Sequence, residues 1–198
     1  TEITRVNDLH GVGEYDQLSL TNDAVIPSFK KLADSVHRYG TKIFAQLHHP
    51  GRESHLVLNP NVQELVSSSA VPSRIAPEPT RALTADEVRS LVKDFAAAAV
   101  RAQKAGLDGV ELHAGHGYLI HQFLSANDNF RTDEYGGSLE NRMRFLLEII
   151  GAIRESCGED FPISVRLSSS EFLDVVGIMK GTTVEEAAQI AAACEKAG

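Results

Sequence analysis

Helical segments and short apolar segments alternate along this chain of 198 residues. Residues 22–39 place apolar side chains three and four positions apart, which predicts an amphipathic helix, and the apolar run 42–49 predicts a buried strand. The same order of helix and strand recurs at 84–113 and at 138–167. Because apolar strands that alternate with helices form parallel sheets covered by helices, the chain is expected to be an α/β protein.

Short polar motifs mark where the helices begin. Thr84 with Glu87, and Thr183 with Glu186, fit the capping box, in which the two side chains bond each other's backbone N–H groups. Ser138 is the expected N-cap of the helix between them. We therefore predict helices that follow these three residues.

The loops after the strands are long, at 49–83 and 114–137, and such loops build the active site of a TIM barrel. The chain opens on the strand-like TEITRV and closes on EKAG, which repeats the QKAG that precedes a predicted strand at 107–113. We predict a partial (β/α)8 TIM barrel, about strands 2 to 5 with their helices. Residues 1–198 would then be an incomplete domain without the first strand and the last three strands.

Charge and composition exclude several classes of partner. The chain has 19 Lys and Arg against 27 Asp and Glu, a net charge of -8, which disfavours nucleic acid and anionic membranes. It has neither an apolar run of about 18 residues nor the layout of a signal peptide, so we expect a cytoplasmic protein. Cys157 and Cys194 fall in predicted helices and are expected to be buried free thiols.

The densest chemical cluster is residues 111–118, at the predicted C-terminal end of a strand. His113 and His116 can hydrogen-bond a polarised oxygen, and Tyr118 can give or take a proton. In the alternative interpretation the histidines cap a turn and Tyr118 is a core ring. The position at a strand end of an α/β repeat favours the functional interpretation.

The histidines also allow a zinc site, because His48 and His49 can approach His113 and His116. Adjacent residues of a strand point to opposite faces, so only one of His48 and His49 can face the barrel interior. No acidic ligand stands near them at a recognisable spacing. We expect no metal site, and a zinc-dependent TIM-barrel hydrolase remains an alternative.

Two polar residues interrupt apolar strands. Arg166 would either pair with a carboxylate such as Glu111 or bind an anionic cofactor or substrate. Gln46 can recognise the edge of a heterocycle, or its amide is satisfied by the backbone. The residues alone leave both questions open.

Long segments of the chain resemble the Old Yellow Enzyme family of FMN-dependent ene reductases, from Thr1 to Gly198. The segments are KIFAQLHHPGR, LTADEVRSLVKDFAAAAVRAQKAGLDGVELHAGHGYLIHQFLS, NFRTDEYGGSLENRMRFLLEII and FPISVRLS. The resemblance implies a (β/α)8 barrel that binds FMN at the C-terminal ends of its strands. Gln46 and Arg166 resemble the residues at the flavin pyrimidine edge, and Ile3 falls where a backbone contact to the flavin is usual.

The resemblance also implies the reaction. NADH or NADPH reduces FMN, and hydride then passes from flavin N5 to the C=C bond of an α,β-unsaturated carbonyl or enoyl compound. His113 and His116 match the pair that holds the substrate's carbonyl oxygen, and Tyr118 matches the proton donor. The expected partner is therefore a small molecule, and a homo-oligomer is compatible with the family.

The subgroup within the family stays open. The segment QLHHPGR and the long loop after it resemble the 2,4-dienoyl-CoA reductases and clostridial enoate reductases, which add a 4Fe-4S cluster and an FAD-binding region. The cysteines for such a cluster are not in these 198 residues, and the pair His113 and His116 is also typical of single-domain relatives. We expect weak or no reductase activity from residues 1–198 alone, and a noncatalytic barrel fragment is the third alternative.

Overall fold

The computed structural model describes residues 1–178 and 181–198. Its strands are β1 (Ile3–Arg5), β2 (Leu18–Ser19), β3 (Phe44–His48), β4 (Leu65–Ser67), β5 (Thr80–Ala82), β6 (Gly109–Ala114) and β7 (Ile163–Leu167). Five of them form one parallel sheet in the order β2-β1-β3-β6-β7, and β4 pairs with β5 in a separate parallel pair. The predicted parallel sheet is confirmed.

The helices are α1 (Ile26–His37), α2 (Ala85–Lys104), α3 (Leu119–Leu124), α4 (Leu139–Cys157) and α5 (Val184–Ala197). Apolar side chains of the helices and of one face of the sheet form the core. Leu47 and Leu112 are fully buried on the strands, and the rings of Phe95 on α2 and Phe145 on α4 meet edge to face at 6.3 Å. None of the helices in the described ranges is long and apolar enough to cross a bilayer.

The predicted start of α2 is confirmed in detail. Glu87 N–H donates to Thr84 Oγ1 at 3.2 Å, and Thr84 N–H donates to Glu87 Oε2 at 2.8 Å. Ser138 likewise caps α4, where it accepts from the N–H of Asn141 at 3.3 Å. These contacts satisfy backbone donors that a helix otherwise leaves without a partner.

The second predicted capping box is only half formed. Thr183 accepts from Glu186 N–H at 3.3 Å, but the Glu186 carboxylate pairs with Arg142 of α4, Nη2 to Oε1, at 2.7 Å. The Arg142 side chain is 5% exposed. Leaving a buried guanidinium without a carboxylate costs more free energy than leaving one N–H group at a helix terminus without a cap. The ion pair thereby joins α4 to α5.

One prediction about the thiols is wrong. Cys194 is buried and free as expected, whereas Cys157 is free but only half buried. Cys157 is the last residue of α4, next to the exposed turn 158–160, so one side of its thiol lacks neighbours.

Candidate active site

One face of the five-stranded sheet carries polar side chains, because alternate residues of a strand share a face. The strand register sets Gln46 beside Ile3 on one side and beside Glu111 on the other. Two positions further along, it pairs His113 with Arg166. The predicted site residues of the strands therefore share the face opposite the helices, and they are Ile3, Gln46, His113 and Arg166.

Four rings meet at the C-terminal end of this face. The centroid of the Tyr118 ring lies 4.5 Å from that of His48 and 4.9 Å from that of His113, both edge to face. His113 and His116 are 5.1 Å apart, with His116 Nδ1 3.4 Å from His113 Nε2. We call these four residues the ring cluster, and it brings together the three predicted catalytic side chains.

A tight turn after β6 delivers His116 and Tyr118 to the cluster. His116 has φ +58° and Gly117 has φ +81°, both in the left-handed region, where a residue with a Cβ costs about 1 kcal/mol or more. His116 N–H donates to Ser168 Oγ at 3.0 Å, beyond the end of β7. The strained turn is thus anchored to the neighbouring strand.

Burial keeps three rings of the cluster, His48, His113 and Tyr118, uncharged at neutral pH. Burial lowers the pKa of His113 to about 4, with His116 adding to the shift, and burial lowers the pKa of His48 to about 3. Burial also raises the pKa of Tyr118, and the carboxylates of Glu14 and Glu53 add to this. The site therefore presents the neutral imidazoles of His48 and His113 and a protonated phenol.

The two polar residues of the strands have separate surroundings. Gln46 Nε2 donates to Glu111 Oε1, and Ser164 Oγ donates to Glu111 Oε2 at 3.4 Å. Arg166 is exposed and has no hydrogen-bond or ion-pair partner within residues 1–178 and 181–198. The alternative of an Arg166–Glu111 ion pair is therefore wrong, because Glu111 is held by two other side chains. The alternative of a Gln46 amide satisfied by backbone is also wrong, because its Nε2 donates to a side-chain carboxylate.

This face fits a flavin. The amide of Gln46 donates through Nε2 to Glu111, which leaves its oxygen to accept from a heterocycle N–H. Arg166 offers a guanidinium for an electron-rich edge, on the strand next to His113. The half-buried Ile3 lies beside Gln46 on the neighbouring strand.

The histidines of the proposed zinc site separate as expected. His48 joins the ring cluster, whereas His49 turns away and its Nδ1 accepts from Gly51 N–H at 3.1 Å. In the part of the chain that the structure describes, no group of three or more His, Cys, Asp or Glu side chains is placed to hold a metal ion.

The position of His48 within the site was not predicted from the sequence. A signal was present, since His48 is two residues after Gln46 and must share its face. Gln17 was also missed: its Nε2 lies 3.2 Å from His48 Nδ1. Nothing in the local sequence connects these two residues, because they are 31 positions apart.

The whole chain, residues 1–198, matches the model of the NADH:flavin oxidoreductase / NADH oxidase family. It is 47% identical over 182 residues to the NADH oxidase of Thermoanaerobacter brockii, covering 92% of this chain and 27% of that protein. It is 41% identical over 173 residues to the NADPH dehydrogenase of Bacillus velezensis, covering 87% of this chain and 49% of that protein. The chain thus spans between a quarter and a half of the length of these relatives.

Solved structures show the same relationship. A complex of 2-naphthoyl-CoA reductase with 2-naphthoyl-CoA matches with a TM-score of 0.89 and 35% identity, over 98% of this chain and 30% of that one. Morphinone reductase matches with a TM-score of 0.86 and 34% identity, over 100% of this chain and 56% of that one. These neighbours are TIM barrels of which the chain covers a part, which confirms the partial barrel. Since the family model spans every residue and the solved neighbours share the fold at this identity, the chain belongs to the NADH:flavin oxidoreductase / NADH oxidase family, also called the Old Yellow Enzyme family.

Proposed function

We propose that this protein is an FMN-dependent ene reductase, which uses NADH or NADPH to reduce the activated C=C bond of α,β-unsaturated carbonyl or enoyl compounds. The observation that carries the proposal is the ring cluster, which lies on the same sheet face as Gln46 and Arg166. The NADH oxidase and NADPH dehydrogenase relatives support a nicotinamide as the reductant. The solved complex with 2-naphthoyl-CoA supports a small-molecule substrate.

Gln46, Arg166 and the backbone of Ile3 would hold the flavin. When bound, FMN takes hydride from the nicotinamide and supplies it to the substrate. Glu111 fixes the orientation of the Gln46 amide, so that its oxygen is the atom offered to an N–H group. The Arg166 guanidinium would stabilise negative charge on the edge of the flavin ring.

His113 and His116 would bind the substrate's carbonyl oxygen. Negative charge grows on this oxygen when the β-carbon accepts hydride, and N–H donors in a partly buried site stabilise it. Because burial holds the pKa of His113 at about 4, the ring stays neutral at physiological pH. The left-handed turn at His116 keeps its imidazole beside His113 before substrate arrives.

Tyr118 would deliver the proton to the α-carbon. Its raised pKa keeps the phenol protonated at neutral pH, as an acid must be before the reaction. The edge-to-face contacts with His48 and His113 hold the ring in one orientation. A fixed donor lowers the cost of orienting the reacting groups.

The replacement Tyr118→Phe tests the proposal in the intact protein. We expect alkene reduction by the reduced flavoprotein to slow by at least about 100-fold, because general-acid catalysis contributes about that much. Stopped-flow absorbance at the flavin band measures this half-reaction separately from flavin reduction by NADH or NADPH. The control is Tyr39→Phe, which alters a tyrosine that is 86% exposed just after α1.

Unchanged alkene reduction by Tyr118→Phe with flavin bound would show that Tyr118 is not the acid. Zinc at one equivalent without flavin absorbance would instead support the hydrolase alternative. The same metal and flavin analysis reports whether a 4Fe-4S cluster and FAD accompany FMN.

A further inference from the structure

A cavity of about 440 Å³ opens beside the ring cluster. His116 belongs to both, so the cavity continues the proposed substrate site away from the reacting carbons. Its polar wall consists of His116, two serines and six larger side chains, which are Arg52, Glu53, Arg74, His121, Asp128 and Glu171.

The carboxylate oxygens of this wall all have hydrogen-bond partners. Three carboxylates line the cavity, and both oxygens of each accept a hydrogen bond. Glu53 accepts from Arg52 and Ser73. Asp128 accepts from Arg52 and Arg74. Glu171 accepts from Ser125 and from the N–H of Thr182.

The donors of the wall are not all occupied. Arg52 Nη1 and His121 Nε2 are buried and have no partner within the described ranges, and the Arg52 side chain is only 4% exposed. His121 Nδ1 accepts from Gly117 N–H at 3.0 Å, so its proton is on Nε2. Arg74 is 52% exposed and donates to Asp128 through Nη2 alone among the described residues. The unpartnered N–H groups of the wall therefore favour an acceptor, and Arg74 is the donor that a ligand can reach.

Net charge narrows the kind of acceptor that fits. Arg52 and Arg74 face three carboxylates, and burial lowers the pKa of His121 so that its ring is neutral. The wall therefore carries one net negative charge, which disfavours a phosphate dianion. An uncharged or singly charged oxygen acceptor remains.

We propose that this cavity binds a second oxygen acceptor of the substrate, a carbonyl or a carboxylate remote from the reacting C=C bond, and that Arg74 selects substrates that carry it. The inference rests on the proposed function, since the cavity is an extension of that site. Arg74 is the accessible donor, while Arg52 and His121 make the wall behind it favourable to an acceptor.

The test compares three probes with the intact protein: cyclohexenone, the same ring carrying a flexible carboxylate arm, and the methyl ester of that arm. We expect Arg74→Gln to lower the ratio of kcat/KM for the carboxylate probe over cyclohexenone about tenfold, mainly through KM. Arg74→Lys should restore most of the ratio for the carboxylate, because it keeps the charge. Lys93→Gln removes an exposed cation of α2 outside the cavity and serves as the matched control.

Equilibrium dialysis with the saturated analogues of the probes gives a readout that needs no turnover. A loss of affinity in Arg74→Gln for both armed analogues supports a carbonyl-type acceptor, and a loss for the carboxylate alone supports a charged one. An unchanged ratio and unchanged affinities in Arg74→Gln would overturn the inference. If no probe is reduced while binding still depends on Arg74, the proposed function fails and the acceptor site stands.

Discussion

Neutral, buried histidines lie both in this site and directly beside it. His49 is 2% exposed and His48 is 1% exposed, and burial lowers the pKa of each to about 3. His113 follows the same trend, with a pKa of about 4. Holding the rings uncharged suits hydrogen bonding to a substrate oxygen, but it makes the fold sensitive to acid.

We expect the free energy of unfolding to fall as the pH drops below about 6.5. The unfolded chain takes up protons on these rings near their ordinary pKa of about 6.5, whereas the folded chain does so only near pH 3 to 4. Between those values each ring lowers stability by up to about 1.4 kcal/mol per pH unit. Urea unfolding at pH 7.5, 6.0 and 5.0 measures this slope.

His49→Gln is the matched variant for this effect. Glutamine can still accept from Gly51 N–H but cannot take up a proton, and His49 lies outside the ring cluster. The slope of the free energy of unfolding between pH 6.0 and 5.0 should therefore decrease by about 1.4 kcal/mol per pH unit, the effect of nearly one proton. An identical slope in the variant would mean that His49 is not among the groups responsible.

Several residue roles were open to sequence reasoning, and others were not. The spacing of His113, His116 and Tyr118 after a strand was sufficient to predict that they converge, because a strand end and a tight turn fix them locally. That Glu111 does not pair with Arg166 was not predictable, since Glu111 lies between Gln46 and Ser164 only once three strands are in register. Long-range register is what local patterns do not contain.

At the scale of elements, the strongest local signals specify the helix ends. Thr84 caps α2, and Glu87 completes the box while also accepting from Arg81 Nη2 at 2.6 Å. The hydrogen bond from Arg81 is the largest cause that lowers the pKa of Glu87, to about 2. The carboxylate is therefore ionised, as the box requires, across the whole neutral range.

We expect Thr84→Ala to lower the free energy of unfolding by about 1 kcal/mol, because the Glu87 N–H loses its acceptor. Thr84→Ser keeps the hydroxyl and should retain most of the stability. Urea unfolding at pH 7 compares the two with the unmodified protein. Equal losses in both variants would indicate that the methyl group, and not the cap, is what matters at this position.

Elements without a local signal were missed. Strands β2, β4 and β5 have two or three residues each, too few for a hydrophobic period, and their hydrogen bonds join distant segments. The half-formed box at Thr183 has the same cause, because the partner of Glu186 is 44 positions away. Propensity and pattern specify an element's ends only where no tertiary contact competes.

At the scale of the molecule, the sheet is open. In the described ranges it runs from β2 to β7, and its two edge strands have a neighbour on one side only. Arg166 lies exposed on β7, and Ile163, Val165 and Leu167 of that strand are only partly buried. A closed barrel would cover both edges and the inner face.

We therefore expect the 198-residue chain by itself to bind FMN weakly, to show little reductase activity and to self-associate. Unpaired strand edges and a partly exposed apolar strand promote association, and the face that would hold the flavin lacks the opposite wall of the barrel. Sedimentation velocity across a range of concentrations measures association, FMN fluorescence quenching measures binding, and steady-state turnover measures activity. The control is the full-length NADPH dehydrogenase of Bacillus velezensis, a relative about twice as long as the region matched. A monomer that holds one FMN and turns over at the rate of this control would show that half a barrel is sufficient.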